Sequence, residues 1–495
     1  MQYRAGPLPV TQNAPAQSAF SELPTRHAMP IGWAASVLAS ILLILLPAIW
    51  NGMPFLFYDT GAFLSLAIEG GFKPERSSFY AYFLAAFGPR FSLWPAAVAQ
   101  VALTVLAIAG FARLLLPSLS PARFFALILM LCACTSLPWN AADLLPDILA
   151  PLMVLSLYLL AFRGALLNRW QKAALVVLAV FGAVSHASHL GLAGGLLAVV
   201  VLMRLAPLPS QPGYVSPRAG LPAMVFGLSL LAMVASNYAH TGAVFISRSG
   251  PSFLLGRLMQ DGIVKRVLDD TCPASGYRLC AYKDHLSPDG TDFLWSYNSP
   301  FDALGQFEGM DREASLIIGD SLKRYPWMNL KAAAADMAEQ LVTFRTGDGV
   351  EPLSGVPDPI FKRLMPDMLD DYLASRQQKG VFDFGWINAV QVPLGALSIL
   401  GLAAILGRAI LRRDWGDRFY LPAFLLCALL GNAFICGVLS GPQHRYQSRL
   451  MWAVSFAVLL LSARAFELSF WQSLLGRVRM LRARLANDRD VEAVT

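Results

Sequence analysis

The sequence predicts an all-α polytopic membrane protein with about ten transmembrane helices and one mostly helical extramembrane domain. Two observations carry that expectation. Hydrophobic residues make up 56% of the 495-residue chain and charged residues only 14%, more apolar side chain than a soluble fold of this length normally owns. These residues also gather into stretches approaching the ~20 positions that cross a bilayer as a helix. Val, Leu and Ala dominate them, and polar turns separate them. One polar interval, roughly His240 to Asp383, breaks the series.

In chain order, residues 1–30 have no apolar core. They read as a disordered cytoplasmic lead, which makes the first span a signal-anchor rather than a cleaved peptide. Spans are expected at 31–50, 91–116, 122–138, 144–162, 173–187, 189–204 and 219–237, so that a transmembrane module with the first exported loop runs over 31–239. The 240–385 domain follows, in which GRLMQDGIVKRVLDD and DMAEQLVTFR read as helices and SPDGTDFLWSYNSP as turn-rich. The last spans, 386–407, 420–438 and 449–468, form a block over 386–468, and a basic cytoplasmic tail occupies 469–495.

Charge orients these spans. The turns on one side carry Arg113, Arg123, Arg163, Arg169, Lys172, Arg204, Arg218, Arg408, Arg412, Arg413 and Arg418, together with Arg4, Arg26 and the Arg477–Arg489 tail. Short loops on the other side carry only Lys73, Arg76, Arg90, Arg445 and Arg449. Excess positive charge marks the cytoplasmic face. Both termini are therefore expected in the cytoplasm of a bacterial inner membrane, with the 240–385 domain in the periplasm. The formal charge of +7 belongs to those loops and to anionic lipid, not to nucleic acid. The exported interval is itself acidic, with 15 Lys/Arg against 20 Asp/Glu from His240 to Asp383.

Cysteine usage agrees. Cys132, Cys134, Cys427 and Cys436 lie in apolar spans and read as small buried hydrophobes. Cys272 and Cys280 lie in the polar domain around Pro273 and Gly276, and a disulfide between them fits an oxidising compartment. A metal pair is the competing reading, but no further cysteine lies near and His285 alone does not complete a site.

Five polar clusters fall where spans end on the exported side. They are FYDTGAF with Asp59, RSSFYAYF with Arg76 and Tyr80, PWNAADLLPD with Asp143 and Asp147, SHASH with His186 and His189, and SGPQHRYQSR with His444, Arg445, Tyr446 and Arg449. Single polar residues at span ends are ordinary interfacial decoration. Asp59 is different: an acid among apolar and aromatic neighbours near the hydrocarbon is costly unless it has a partner or a task. Arg445 and Arg449 are four apart, so one helical face presents both if the last span's helix begins before 449, and guanidinium forks match phosphate oxygens.

In order, the loop FYDTGAFLSLAIEGG after span one, the helix ERSSFYAYFLAAFG led by an arginine, the long span ending FARLLLP, the PD pair opening LLPDILAPLMVLSLYLLAFRG and the late RYQSRLMWAVSFAVLL resemble the GT-C superfamily. These are polytopic membrane glycosyltransferases using polyprenyl-phosphate sugars, and the likeness is to the bacterial aminoarabinose-transferase and protein-mannosyltransferase type. It covers roughly 220 residues, chiefly 31–204. The chain departs from it at Thr60, where many relatives carry a second acid, at SHASH, where many carry a lysine, and in lacking the proline of the late "RY…P" span.

The resemblance implies inverting transfer of a sugar from a polyprenyl-phosphate donor to a lipid, glycan or protein acceptor, with Asp59 as the catalytic carboxylate. Arg445 and Arg449, then Arg76, would bind phosphate, and Tyr80, Asp143, His186, His189 and His444 would line the substrate. A divalent metal is possible, held by Asp59 with Asp143 or His189 where they meet in space. Three other classes compete. A transporter or flippase finds support in Pro151, Gly191, Gly194 and Gly195 within spans. A non-enzymatic component of envelope polysaccharide assembly would use the domain for docking. An acyltransferase or lipid-linked polymerase would also place polar residues at this face.

Overall fold

A computed structural model describes residues 31–206, 216–353, 355 and 357–466. The expected amino-terminal lead and the basic tail from 469 lie outside the described residues. The chain is an all-α, multi-pass membrane protein. Among the described residues, seven helices are long and apolar enough to cross a bilayer: α1 (Ile31–Asn51), α4 (Trp94–Leu115), α9 (Ala187–Leu205), α10 (Gly220–Thr241), α19 (Gly385–Leu411), α20 with its π-helical end (Asp417–Val438) and α21 (His444–Phe466). Three other stretches expected to span form shorter helices: α5 (Pro121–Cys134), α7 (Leu149–Phe162, entered by a 3-10 turn at Pro146–Ile148) and α8 (Arg169–Val184).

Burial explains the arrangement. Every residue of α7 is buried, as a helix that is apolar all round requires, so it is the axis of the bundle. Helix α8 reaches it closely because of Gly182: a Cβ there would stand 2.9 Å from the Leu149 carbonyl oxygen and from Met153 Cβ. The buried polar atoms of the spans are largely bonded, as a medium without water demands. Ser36 donates to the Pro121 carbonyl (2.7 Å), Ser455 to Ser398 (2.9 Å) and Gln391 to the Thr135 carbonyl (2.9 Å).

Between α1 and α4 the chain makes two short helices, α2 (Tyr58–Glu69) and α3 (Ser78–Ala85), and α6 (Leu137–Ala142) joins them at the same end of the bundle. A backbone bridge ties this end together: Phe55 donates to the Ala142 carbonyl (3.1 Å) and accepts from Leu144 N–H (3.0 Å), setting Phe55 beside Asp143.

The 240–385 interval is helical but its packing is divided. Helices α11 (Gly250–Gln260), α12 (Ile263–Thr271), α13 (Gly290–Trp295), α14 (Pro300–Ala303) and α15 (Gln306–Arg324) enclose their own core around Val264, Val267, Phe293, Phe301 and Ile317. The expected GRLMQDGIVKRVLDD helix breaks in two at Gly262, whose φ is +72°. The short α13 falls inside the stretch expected to be turn-rich. Helix α16 (Pro326–Val342) then leads back to the bundle. Beyond it, α17 (Pro357–Leu364) and α18 (Leu369–Ala374) join the hydrophobic core of the helical bundle, with Phe361 and Tyr372 stacked at 4.4 Å inside it.

Cys272 and Cys280 are disulfide-bonded. Closing so short a loop is worth about 2–3 kcal/mol by chain entropy, so Cys272→Ser should lower the unfolding midpoint of the helical domain and leave one alkylatable thiol at Cys280. A variant with unchanged domain stability would remove the bond's structural role.

Candidate functional site

Where α1, α3, α7, α9 and α21 end together, five charged side chains alternate in sign. Arg76, from the turn before α3, pairs with Asp59 in the first turn of α2. Asp59 Oδ2 also accepts from Arg445 Nη2 at 3.2 Å. Arg445 Nη1 stands 3.6 Å from Asp147 Oδ2, and Asp147 Oδ1 pairs with Arg449. Asp147 thus lies between two arginines one turn apart on α21. Within this chain three guanidinium groups meet two carboxylates.

The surroundings fix each member. Arg445 lies over the Phe57 ring (4.1 Å to the centroid) and the Tyr446 ring (4.9 Å), a cation–π cradle that holds it flat. Its backbone N–H donates to Asp348 Oδ2 (2.8 Å). Arg449 is 1% exposed, and its Nη2 donates to Asn432 Oδ1 (2.8 Å), Ser188 Oγ (3.3 Å) and Cys436 Sγ (3.3 Å). Cys436 sits in the π-helical turn of α20, a break of the kind that recurs at functional positions. Arg76 packs under Trp295 of α13 (5.6 Å), which brings the helical domain onto the site.

The histidines stand beside this chain with their rings 5.3 Å apart. His186 Nδ1 accepts from Ser188 N–H (3.2 Å) at the start of α9. His189 Nδ1 faces the Gly182 carbonyl (2.9 Å) and donates to it, while its Nε2 is buried without a partner. Asp143 Oδ1 is likewise buried and unpartnered.

Electrostatics separate the two loop acids. Burial alone would raise the Asp59 carboxyl, but the Arg76 and Arg445 guanidinium groups outweigh it and hold the group below its usual range. For Asp143, burial and then the nearby Asp147 push the carboxyl from 3.8 up to about 8. A raised carboxyl costs stability as pH climbs: the folded form keeps a proton that the unfolded chain has lost. Heat-unfolding of purified protein in detergent should therefore fall from pH 4 to pH 8 relative to Asp143→Asn, then level off. A difference that stays constant over that window would mean an ionised, solvated Asp143.

Two of the expected site residues stand apart from the chain of charges. Tyr80 is fully buried and donates to Gln100 Oε1 (2.7 Å), while Gln100 donates to the carbonyls of Asp143 (2.7 Å) and Ala141 (3.0 Å). Tyr80 therefore positions the Asp143 turn. His444 accepts the backbone N–H of Arg345 (3.0 Å) and holds the loop above the site. Thr60 is structural: its hydroxyl accepts from Phe57 N–H (2.9 Å) and donates to the Leu144 carbonyl (3.2 Å). Among the described residues, no three His, Cys, Asp or Glu side chains converge as metal ligands.

Sequence reading missed the loop Thr346–Val350 that roofs the site. Gly347 and Gly349 both have positive φ (+96° and +82°), and a Cβ on Gly349 would collide with the Phe57 ring. It also missed Asn432, although an amide inside an otherwise apolar span is the signal that could have found it. Beside the site an apolar cavity of about 400 Å³ opens between the ends of α1 and α19, lined by Leu46, Trp50, Trp139, Phe382 and Trp386. Its Trp139 and Phe382 pack on Phe55, the residue bridged to Asp143. Comparison with protein-family models, curated proteins and solved structures finds no match to this chain.

Proposed function

We propose that the chain is an inverting glycosyltransferase of the GT-C type, moving a sugar from a polyprenyl-phosphate donor to a lipid, glycan or protein acceptor at the periplasmic face of a bacterial inner membrane. The observation that carries the reading is the Arg76–Asp59–Arg445–Asp147–Arg449 chain, an anion site with a carboxylate built into it. The arginine bias of the opposite turns supports the orientation. The cavity between α1 and α19 suits the apolar chain of such a donor.

In this mechanism the donor phosphate competes with Asp59 for Arg445. Once Arg445 turns to the phosphate, Asp59 loses one of the two guanidinium groups that depress it and becomes a better base. It takes the proton of the acceptor hydroxyl, whose oxygen bonds to the anomeric carbon. The carbon–oxygen bond to phosphate breaks, and polyprenyl phosphate leaves with the electron pair, its growing charge met by arginine.

Arg445→Ala should weaken polyprenyl-phosphate binding ~10–100-fold, the value of a charge-assisted contact. Lysine should restore part of it, lacking the fork. Unchanged affinity in folded Arg445→Ala would make the residue an anchor of α21. A flippase for the same lipid is the second reading, supported by the π-helical break of α20 beside buried Asn432 and Arg449. Lipid movement across vesicles without sugar transfer would favour it.

A further inference from the structure

Helix α16 is packed inside out. Only Asp336 and Gln340 on it are fully buried, and both are polar. Asp336 accepts from Arg257 Nε at 2.8 Å, and Gln340 exchanges hydrogen bonds with the Gln443 backbone, donating at 2.8 Å and accepting at 3.0 Å. This polar face is pressed on the π-helical turn of α20. A Cβ on Gly437 would stand 2.7 Å from the Asp336 carbonyl oxygen and 2.9 Å from Gln340 Cβ.

The opposite face is apolar and open. Trp327, Leu330, Ala334, Ala338 and Val342 recur every three or four residues and are all exposed, Trp327 by 73% and Val342 by 72%. In water this arrangement has the wrong sign for a surface helix, whose apolar stripe faces the core. The helix rests on a membrane-spanning neighbour whose own outward residues Leu430, Phe434 and Leu439 are exposed in the same way. At its start the chain turns through Lys323, Arg324, Tyr325, Pro326 and Trp327. Cationic side chains beside aromatic rings are what the headgroup layer accepts. Lys331, on the outward face near that corner, has the length to carry its ammonium to the headgroups.

We propose that the outward face of α16 and the 323–327 corner form an interfacial membrane-binding surface. It lies in the leaflet beside α20, at the end of the bundle that carries the helical domain, and ties that domain to the lipid. The bilayer is its occupant because the face is continuous with the lipid-facing side of α20 and its corner has the chemistry of a headgroup anchor. This holds whatever reaction the site performs.

The test places a nitroxide through a keto-bearing residue at 334 and, separately, at 338, leaving the native cysteines untouched. The full chain is held in nanodiscs of phosphatidylethanolamine and phosphatidylglycerol. Exposed Ser315 on α15 is the aqueous reference. Collision with oxygen should rise severalfold above that reference, and collision with a water-soluble nickel chelate should fall severalfold below it. Nickel accessibility equal to that at 315 would put the face in water and overturn the proposal. Exclusion of both reagents would overturn it too, showing a protein partner or a second copy on the face. Two positions one turn apart keep the result readable if one label disturbs the fold.

Discussion

Asp59→Asn is expected to abolish sugar transfer while strengthening the grip on polyprenyl phosphate. The first effect follows from removing a positioned base, which contributes ~10²–10⁴-fold. The second follows from the geometry: the carboxylate that occupies Arg76 and Arg445 is gone, and both guanidinium groups turn to the incoming anion. Asp59→Glu should also transfer poorly, because the carboxylate moves away from both arginines. The assay follows label from a mixed polyprenyl-phosphate-sugar pool into membrane lipids and glycans, with lipid-phosphate binding measured on the same preparations. Full transfer by folded Asp59→Asn would remove the residue from the mechanism. Weaker phosphate binding would show that Asp59 merely holds the arginines in place.

Arg449→Ala is expected to be the most destabilising single change in the site. The side chain is 1% exposed and serves Asp147, Asn432, Ser188 and Cys436 at once. Removing one partner of a buried ion pair costs up to about 3–5 kcal/mol, and Asp147 would be left buried with only Arg445, at 3.6 Å, to meet its charge. The Asp147→Asn change added to Arg449→Ala should therefore recover much of the unfolding midpoint in detergent. Arg449→Lys should fall between, because one ammonium cannot reach four separated acceptors. If the double variant is no more stable than Arg449→Ala, the loss comes from packing at the π-helical turn instead of from the stranded carboxylate.

Helices were the legible part of the fold. Each apolar stretch read as a span coincides with a helix, because a bilayer leaves the chain only composition and length to vary. The short α5, α7 and α8 show where that logic loosens: α7 is sheltered by protein on every side, so its length need not match the hydrocarbon. Asp59, Arg76, Arg445 and Arg449 were legible because charge beside hydrocarbon is expensive and conspicuous. Their pairing was not. Nothing local says that Asp147, 302 residues from Arg449 in the chain, fills its fork. The roofing loop was hidden for the same reason: besides its positive φ, Gly349 is needed because Phe57 lies under it, and that contact is made by tertiary packing alone.

The return of the chain after α16 bears on how the protein can be taken apart. Composition marks 240 and 385 as the ends of an insert, which invites exchange of that piece between proteins. Yet Arg376 N–H donates to the Asn51 carbonyl (3.0 Å), Gln377 exchanges bonds with Leu56 (2.7 and 3.2 Å), and Asp348 holds Arg445. A swap at the compositional edges would carry off the roof of the charged site along with the domain. The separable cassette is shorter, closed by its own core and disulfide, and joined to the rest through Trp295 over Arg76 and Arg257 against Asp336. Those two arginines are the hinge pins of any chimaera.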